Sequence, residues 1–446
     1  MKAATDAIAN DSAELIGLAR ALGEVRFARA IRNGSYERLF PGVAAKVSWW
    51  GGLTEDGRYL GRCVALAVSR PGVALTKLSA VEALGGQVLR VPKTVTVSAV
   101  PGRTASRSRL KEVKVGALPK HGALVKQRVT LGETATFGRP ARADPAAMPG
   151  TLGTPGREPS VHGSYEVLCT SPACTMYDVA AAYKLRDALV AINSLLLAQA
   201  GGRVALRDRC GALPVGHPLG EKGKHASHLN AKAVADILRA KTFASFRAQA
   251  GHYRQHGFMF ESSAGLMDEC LALVWKNRGR RGVRKALLAL LLASDKCESP
   301  AESLFCARAY EDRFEQPFLQ VCFYDGKTGK TVYRTDGAWD LRGRAQSKRK
   351  PFARRVERGG TAPPGSRQAL LYEFDGKAKY EDARILGGRS KGDVLEDQNR
   401  REAELRAMGY ELVRFVWGDL VSHDGMMLKL ARFGVPRLVR RPSKKE

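Results

Sequence analysis

The spacing of apolar residues changes its period several times along the chain, and each period predicts a different kind of element. Near the N-terminus, Tyr36–Val47 alternates around a Pro41-Gly42 turn, as a strand pair does. Helical spacing is found in four stretches: Asp11–Leu22, Val25–Ile31, Arg58–Val68 and Leu75–Gly85. We therefore predict a small helical domain that carries a β-hairpin over residues 1–87.

The middle of the chain changes from β-like to helical patterning. Gln87–Val91 and Thr94–Val97 alternate as strands do, and they open a basic, β-rich region that we assign to residues 88–165. Glycine and proline are frequent over residues 138–163, which is typical of an irregular linker. Residues 166–294 are mostly helical in pattern.

The last part of the chain combines both periods. Ser299 and Pro300 predict a helix start, with Glu302 three residues after the cap. Strand patterns occupy four stretches: Phe318–Tyr324, Thr331–Trp339, Ala369–Phe374 and Tyr410–Trp417. A charged amphipathic helix, Leu395–Met408, precedes the fourth strand. Residues 295–435 therefore predict the order helix, three strands, helix and strand, followed by a basic tail over residues 436–446. The whole pattern predicts a multidomain α/β (α+β) chain.

Composition adds a strong charge to this picture. The 446 residues include 73 Lys and Arg against 44 Asp and Glu, a formal net charge of +29 that favours nucleic acid as the partner. No run of about 20 apolar residues predicts a membrane span, and no signal-peptide pattern opens the chain. The eight scattered cysteines are expected to be reduced thiols, so we expect a cytoplasmic protein.

Acidic residues at two strand ends give the candidate chemistry. Glu373 and Asp375 lie two residues apart at the end of an apolar run, so a strand directs them to one face. Lys377 and Lys379 follow at once, and Asp336 ends another strand-like run upstream. Carboxylates and an amine at one sheet edge suit Mg²⁺ (or Mn²⁺) and hydrolysis of a phosphodiester.

Clusters of arginine and lysine are the candidate nucleic-acid contacts. Arg400 and Arg401 lie on the last amphipathic helix, where they either touch phosphate or pair with Glu396 and Glu404. A basic insertion between the two acidic strand ends predicts a clamp on the nucleic-acid backbone. Its basic residues include Arg344, Lys348, Arg349, Lys350, Arg354 and Arg355.

The first 87 residues also match the plan of a winged helix, with two short helices followed by a hairpin. They resemble the AbiEi-type N-terminal domain of antitoxin proteins. The motifs that carry the resemblance are Arg38-Leu39-Phe40-Pro41-Gly42-Val43, Pro71-Gly72-Val73-Ala74-Leu75-Thr76 and Ser79-Ala80. The resemblance implies DNA binding, with Arg26, Arg29 and Arg32 on or near the second helix as phosphate contacts.

The C-terminal part resembles PD-(D/E)XK nuclease-like domains related to very-short-patch repair endonucleases. The matching residues are Ser299-Pro300-Ala301-Glu302-Ser303, Gln320, Asp336, Glu373-Phe374-Asp375-Gly376-Lys377-Ala378-Lys379-Tyr380, Arg400-Arg401-Glu402, Leu405, Gly409-Tyr410 and Arg414-Phe415-Val416-Trp417-Gly418-Asp419-Leu420. The resemblance implies that Asp336 and Glu373 ligate the metal ion, that Asp375 ligates the same or a second ion, and that Glu302 and Gln320 belong to the site.

One position departs from the family pattern. The lysine that gives the motif its name stands two residues after the acid, and this chain has Asp375 there. Lys377 or Lys379 would supply the amine instead, from the turn that follows the strand.

Three functional hypotheses remain open at this point. The first is a Mg²⁺-dependent DNA endonuclease or nickase with an N-terminal DNA reader. The second is a DNA-binding transcriptional regulator or antitoxin with an inactive nuclease-like fold, in which the acids are left as solvated strand ends. Under either hypothesis Glu302 is a capping-box acid or a helix carboxylate that faces the metal site. The third is an enzyme or toxin that acts on RNA. A cognate toxin or a component of a phage-defence system is the further partner that this architecture suggests.

Overall fold

The structure of the protein, a computed structural model, is of the mixed α/β class. It describes residues 15–16, 24–70, 72–100, 113–116, 124–130, 164–203, 205–206, 229–324, 331–340, 369–375, 390–407, 410–422 and 424–437.

The helices and strands are numbered in chain order. The strands are β1 (Leu15–Ile16), β2 (Tyr36–Phe40), β3 (Val43–Lys46), β4 (Val73–Leu75), β5 (Val95–Ala99), β6 (Val113–Gly116), β7 (Leu124–Thr130), β8 (Ser164–Thr170), β9 (Phe318–Tyr324), β10 (Thr331–Asp340), β11 (Ala369–Phe374) and β12 (Tyr410–Phe415). The helices are α1 (Glu24–Arg32), α2 (Val47–Gly52), α3 (Glu55–Ser69), α4 (Lys77–Ala83), α5 (Pro172–Ala182), α6 (Leu185–Gln199), α7 (Ala231–Leu238), α8 (Phe243–Tyr253), α9 (Glu261–Lys276), α10 (Val283–Leu292), α11 (Pro300–Glu311), α12 (Lys391–Ala407), α13 (Trp417–Val421) and α14 (Gly425–Arg432).

Two compact units divide the chain. Unit 1 comprises residues 1–198 and 265–290, and unit 2 comprises residues 199–264 and 291–446. The predicted C-terminal domain, residues 295–435, therefore lies in one unit together with helices from residues 199–264.

Unit 1 contains a small sheet with the strand order β1-β3-β2. The predicted hairpin is present, since β2 and β3 pair antiparallel around Gly42, whose φ of +77° suits glycine. The predicted helix over Asp11–Leu22 is wrong at Leu15 and Ile16, which form β1 and pair with β3. Two adjacent apolar residues are compatible with a helix or with a strand, and the pairing with β3 selects the strand.

The second sheet of unit 1 has the order β6-β5-β4-β8-β7. β4 pairs antiparallel with β5 and parallel with β8, so this sheet crosses the predicted boundary between residues 87 and 88. The helix predicted from Leu75 begins only at Lys77, because Leu75 is paired in β4. No strand forms over Gln87–Val91. The backbone of Gln87 is instead satisfied by the Ser194 hydroxyl, which accepts from its N–H at 2.7 Å and donates to its C=O at 3.1 Å.

Unit 2 contains a four-stranded sheet with the order β12-β11-β10-β9. β9, β10 and β11 are antiparallel neighbours, and β12 joins β11 in parallel, with Glu373 opposite Arg414. The predicted succession of helix, three strands, helix and strand is observed as α11, β9, β10, β11, α12 and β12. β12 ends at Phe415, before the predicted Trp417, because the Asp419 carboxylate accepts the Val416 N–H at 2.9 Å and starts α13.

Apolar side chains cover both faces of the unit 2 sheet. On one face, the Phe305 ring of α11 contacts the rings of Trp339, Tyr372, Phe374 and Phe415. The other face packs Leu405 of α12 into a buried cluster that includes Val321, Phe323, Ala338, Leu371, Tyr410 and Leu412. All six residues of β11 are buried, so its continuous apolar run reflects burial on both sides.

Candidate functional site

The first acid of the candidate site, Glu302, lies in the first turn of α11. Ser299 caps this helix, as predicted: its hydroxyl accepts the Glu302 N–H at 3.3 Å and donates to the Glu302 carboxylate at 2.7 Å. The carboxylate also accepts the Glu298 N–H at 2.9 Å and the Gln320 side-chain amide at 3.0 Å. Glu302 is therefore both a capping residue and a neighbour of Gln320.

Burial controls the protonation of Glu302, which is only 4% exposed. Loss of water raises the pKa of the Glu302 carboxyl well above its usual range, and the nearby Asp336 and then Cys297 raise it further. The hydrogen bonds from Ser299 and Glu298 lower this pKa by a smaller amount. Burial therefore shifts Glu302 toward its protonated form relative to a glutamate in water.

We expect the Glu302 titration to make unit 2 less stable at high pH. A folded-state pKa above the unfolded value gives stability that is complete below the unfolded pKa of about 4.5 and is lost as pH rises through the folded pKa. Glu302→Gln, which cannot ionise, should reduce the loss of stability that the wild type shows in urea unfolding as the pH rises above the unfolded pKa. Glu311→Gln, at the exposed end of the same helix, is the control. An unchanged pH dependence in Glu302→Gln would contradict the assignment.

Gln320 and Asp336 lie at the same level of the β9–β10 pair. The pairs Val321↔Thr335 and Leu319↔Gly337 flank them. Gln320 has φ +52°, a left-handed conformation that is rare and strained for a residue other than glycine. Its amide nitrogen reaches Glu302, while its buried Oε1 oxygen has no hydrogen-bond partner among the described residues.

Asp336 connects β10 to the end of β11. Its Oδ2 oxygen accepts the Phe374 N–H at 2.7 Å. This bond places the Asp336 carboxylate beside the backbone that carries Glu373. Asp336 is also close enough to Glu302 to raise the pKa of that carboxyl. Asp336 therefore lies between Glu302 of α11 and Glu373 of β11.

Glu373 is buried and forms an ion pair with Arg401 of α12. The Arg401 guanidinium also donates to the Arg334 C=O at 2.6 Å, and it lies 5.6 Å from the centre of the Tyr333 ring. Arg334 itself pairs with Glu298, just before α11. Opposite charges from α12, β10 and β11 are thus joined in one network.

Asp375 follows β11 and pairs with Arg414 of β12, with 3.4 Å between Oδ2 and Nη1. Arg414 also donates to Gln398 at 2.9 Å and lies 3.4 Å from Glu402, both of α12. The buried Oδ1 oxygen of Asp375 accepts no hydrogen bond from any described residue. Glu373 and Asp375 thus both engage arginines on the α12 side of the sheet.

A cavity of about 440 Å³ lies beside Arg401. It is lined by Tyr333, Arg334, Asp397, Arg400 and Arg401. The sequence had suggested Glu396 and Glu404 as partners of the two α12 arginines, and this is wrong in both cases. Arg400 pairs with Asp397 at 2.6 Å, and Arg401 pairs with Glu373. The Glu404 carboxylate instead accepts a hydrogen bond from the Tyr333 hydroxyl.

The structure brings together one part of the predicted site and leaves another part undescribed. Hydrogen bonds, an ion pair and neighbouring backbone bring Glu302, Gln320, Asp336, Glu373 and Arg401 together, while Asp375 pairs separately with Arg414. Lys377, Lys379, Arg344, Lys348, Arg349, Lys350, Arg354 and Arg355 lie outside the described residues. Of the N-terminal arginines, Arg29 and Arg32 are exposed in the last turn of α1, and the side chain of Arg26 lies outside the described part.

Two basic residues of the site, Arg334 and Arg414, were not among the predicted site residues. Each interrupts an apolar strand, which is a signal that the sequence does carry. Arg334 precedes Asp336 by two residues, and Arg414 lies in the strand that pairs with β11. The charge partners of both arginines come from distant parts of the chain, which strand patterning does not identify.

No three His, Cys, Asp or Glu side chains among the described residues are grouped so that they could hold one metal ion. The described helices include none that is long and apolar enough to cross a membrane. No protein-family model, no curated protein and no solved structure matches this chain.

Proposed function

We propose that unit 2 is a divalent-metal-dependent endonuclease, or nickase, that hydrolyses phosphodiester bonds of DNA. The observation that carries the proposal is the convergence of Glu302, Gln320, Asp336 and Glu373. These residues come from α11, β9, β10 and β11, and they are linked by direct contacts or lie beside one another at the backbone. The PD-(D/E)XK resemblance, noted from the sequence, supports the same proposal.

The oxygen atoms of these side chains are of the chemical type that a hard divalent cation binds. Mg²⁺ and Mn²⁺ bind carboxylate and amide oxygens, and two such oxygens here are buried without a hydrogen-bond donor among the described residues. They are Gln320 Oε1 and Asp375 Oδ1. Asp336 and Glu373 would hold the ion, with Asp375 on the same side of β11 as Glu373. When bound, the ion would supply positive charge to a phosphodiester and lower the pKa of a water.

The side chains around these acids have separate roles in the proposal. Glu302 accepts a hydrogen bond from the Gln320 amide and so orients Gln320. Arg401 carries a positive charge at the same place and can offset charge that develops on a phosphate. Lys377 and Lys379 follow β11 directly in sequence and remain the candidates for the amine.

Net charge supports nucleic acid as the substrate and predicts a steep salt dependence of binding. With a charge of +29, we expect the affinity for duplex DNA to fall by about 10³-fold or more between about 50 and 200 mM salt. Replacing the exposed Arg29 and Arg32 by glutamine should lower the slope of log K against log salt by about 1 to 2 if both meet phosphates. Fluorescence anisotropy of a labelled duplex measures both slopes, and a wild-type slope near zero would contradict electrostatic binding.

The experiment that tests the proposal is incubation of the purified full chain with supercoiled plasmid. Nicked or linear plasmid is expected with Mg²⁺ or Mn²⁺, and intact plasmid with EDTA. A parallel panel of duplex DNA, single-stranded DNA and RNA tests the third hypothesis, since preferential cleavage of RNA would reassign the substrate. Plasmid that stays intact with both ions would argue against the nuclease.

A second candidate function is a DNA-binding regulator, or antitoxin, with an inactive nuclease-like fold. One observation favours it: Glu373 and Asp375 are each already paired with an arginine. This hypothesis expects tight, salt-sensitive binding to a preferred sequence without cleavage under any divalent ion. Selection of bound sequences from a random duplex library, in EDTA, distinguishes it from a nuclease that lacks sequence preference.

A further inference from the structure

Arg401 is the positive charge that the described structure places against Glu373. Its side chain is 27% exposed, and that of Glu373 is 10% exposed, so the pair is largely withdrawn from water. The guanidinium is also held by the Arg334 C=O and faces the Tyr333 ring. These contacts give Arg401 a defined position on the acid that the proposed function assigns to the metal ion.

A divalent ion and this guanidinium would compete for Glu373. Two positive charges next to one partly buried carboxylate repel each other strongly, because the surroundings screen charge less than water does. Binding of the ion therefore favours displacement of Arg401. The cavity of about 440 Å³ that Arg401 lines offers a place for the displaced guanidinium, beside Arg400.

We propose that Arg401 is the resident counter-cation of Glu373 and that it exchanges with the divalent ion. On exchange, the guanidinium turns into the cavity between β10 and α12 and, with Arg400, holds a phosphate group of the nucleic acid. This inference rests on the proposed metal-dependent function. It makes Arg401 a positioning residue that couples ion binding to phosphate binding.

The exchange has a thermodynamic consequence. If the ion frees Arg401 for phosphate, each ligand must strengthen the binding of the other by the same factor. The wild-type chain should therefore bind duplex DNA more tightly with Ca²⁺, used as a divalent ion that supports binding, than with EDTA. Loss of the Arg401 guanidinium should reduce this difference.

The test is titration of Mn²⁺ alone into the full chain by isothermal calorimetry, for the wild type and two glutamine variants. Arg401→Gln removes the competing cation and is expected to bind Mn²⁺ about tenfold more tightly than the wild type. Arg400→Gln is the matched control. It removes the same charge from the adjacent position of the same helix but pairs with Asp397 rather than Glu373, so its Mn²⁺ affinity should stay within about twofold.

A second variant keeps the test valid if Arg401→Gln does not fold, which thermal unfolding would reveal. Arg401→Lys retains the charge, but its ammonium group lacks the planar guanidinium that contacts both Glu373 and the Arg334 C=O. It is expected to bind Mn²⁺ about threefold more tightly than the wild type. With either variant, a smaller Ca²⁺-dependent gain in DNA affinity than in the wild type is also expected.

The outcomes separate this inference from the function on which it rests. If Mn²⁺ binds the wild type and Arg401→Gln with equal affinity, or binds the variant more weakly, the exchange is overturned and the metal site stands. If Mn²⁺ affinity increases as much in Arg400→Gln as in Arg401→Gln, the increase reflects the loss of any nearby positive charge, and the exchange is overturned. If Mn²⁺ binds none of the chains, the proposed function fails and the inference fails with it.

Discussion

Replacing Glu373 by glutamine is expected to reduce plasmid cleavage by at least about 10³-fold while the affinity for duplex DNA, measured in EDTA, does not fall. The amide keeps the size of the side chain, but it removes a negatively charged oxygen ligand from the proposed metal site. It also removes the charge partner of Arg401, which makes the net charge of the chain more positive. Nicking rates and gel shifts on the same plasmid measure the two effects.

The matched control for this prediction is Glu396→Gln. Glu396 is an exposed acid on α12, so the substitution makes the same chemical change on the helix that carries Arg401 but away from the sheet edge. Its cleavage rate should stay within about twofold of the wild type. Equal loss of cleavage and binding in Glu373→Gln would mean that the acid supports the fold rather than the reaction.

Truncation of Phe305 to alanine should destabilise unit 2 by about 4 kcal/mol. The Phe305 ring is fully buried, and its centre lies 4.7 Å from the Tyr372 ring, 4.9 Å from Phe415 and 5.3 Å from Phe374. Alanine would leave a cavity between α11 and the sheet, because the surrounding rings are fixed on the paired strands β11 and β12 and cannot all move inward. Urea unfolding followed by circular dichroism measures the loss.

Val421→Ala is the control for the Phe305 variant. Val421 is 63% exposed on α13 of the same unit, so its truncation removes little buried area and should change stability by less than about 0.5 kcal/mol. A loss below about 1 kcal/mol for Phe305→Ala would contradict the central place of this ring in the core. We also expect Phe305→Ala to affect plasmid cleavage, because α11 carries Glu302 one turn before Phe305.

Sequence reasoning succeeded where structure depends on neighbouring residues. Ser299, Pro300 and Glu302 define the start of α11 within four positions, and the structure contains the predicted capping bonds. The apolar run that opens β11, residues 369–372, likewise predicted a strand, which is confirmed. Both signals are local, because caps and turns involve groups only a few residues apart.

Sequence reasoning failed where a distant partner decides the outcome. Leu15 and Ile16 carry a helical pattern but pair with β3, whose edge lies nearly thirty positions later. Arg401 has acids at suitable helical spacing, yet it pairs with Glu373 of β11, because tertiary packing places a buried carboxylate within its reach. The left-handed backbone of Gln320 had no sequence signal, since glutamine rarely adopts it.

The proposed site depends on the same kind of distant contact. Asp336 and Glu373 are separated by a long basic insertion in sequence, and the antiparallel pairing of β10 with β11, together with the Phe374 N–H bond to Asp336, brings them together inside the sheet. The sequence identified Glu373 and Asp375 by their position at a strand end, whereas Asp336, expected at the end of a strand, lies inside β10. It could not show that two arginines already pair with Glu373 and Asp375. That pairing is the reason why metal binding, rather than fold, is the property to measure.

Calorimetric titration of Mn²⁺ into the wild-type chain and Glu373→Gln tests most directly whether these carboxylates form a divalent-ion site. We expect saturable binding to the wild type and at least about tenfold weaker binding to the variant. Equal binding by the two chains, or no binding by the wild type, would contradict the metal-dependent nuclease and favour a DNA-binding regulator.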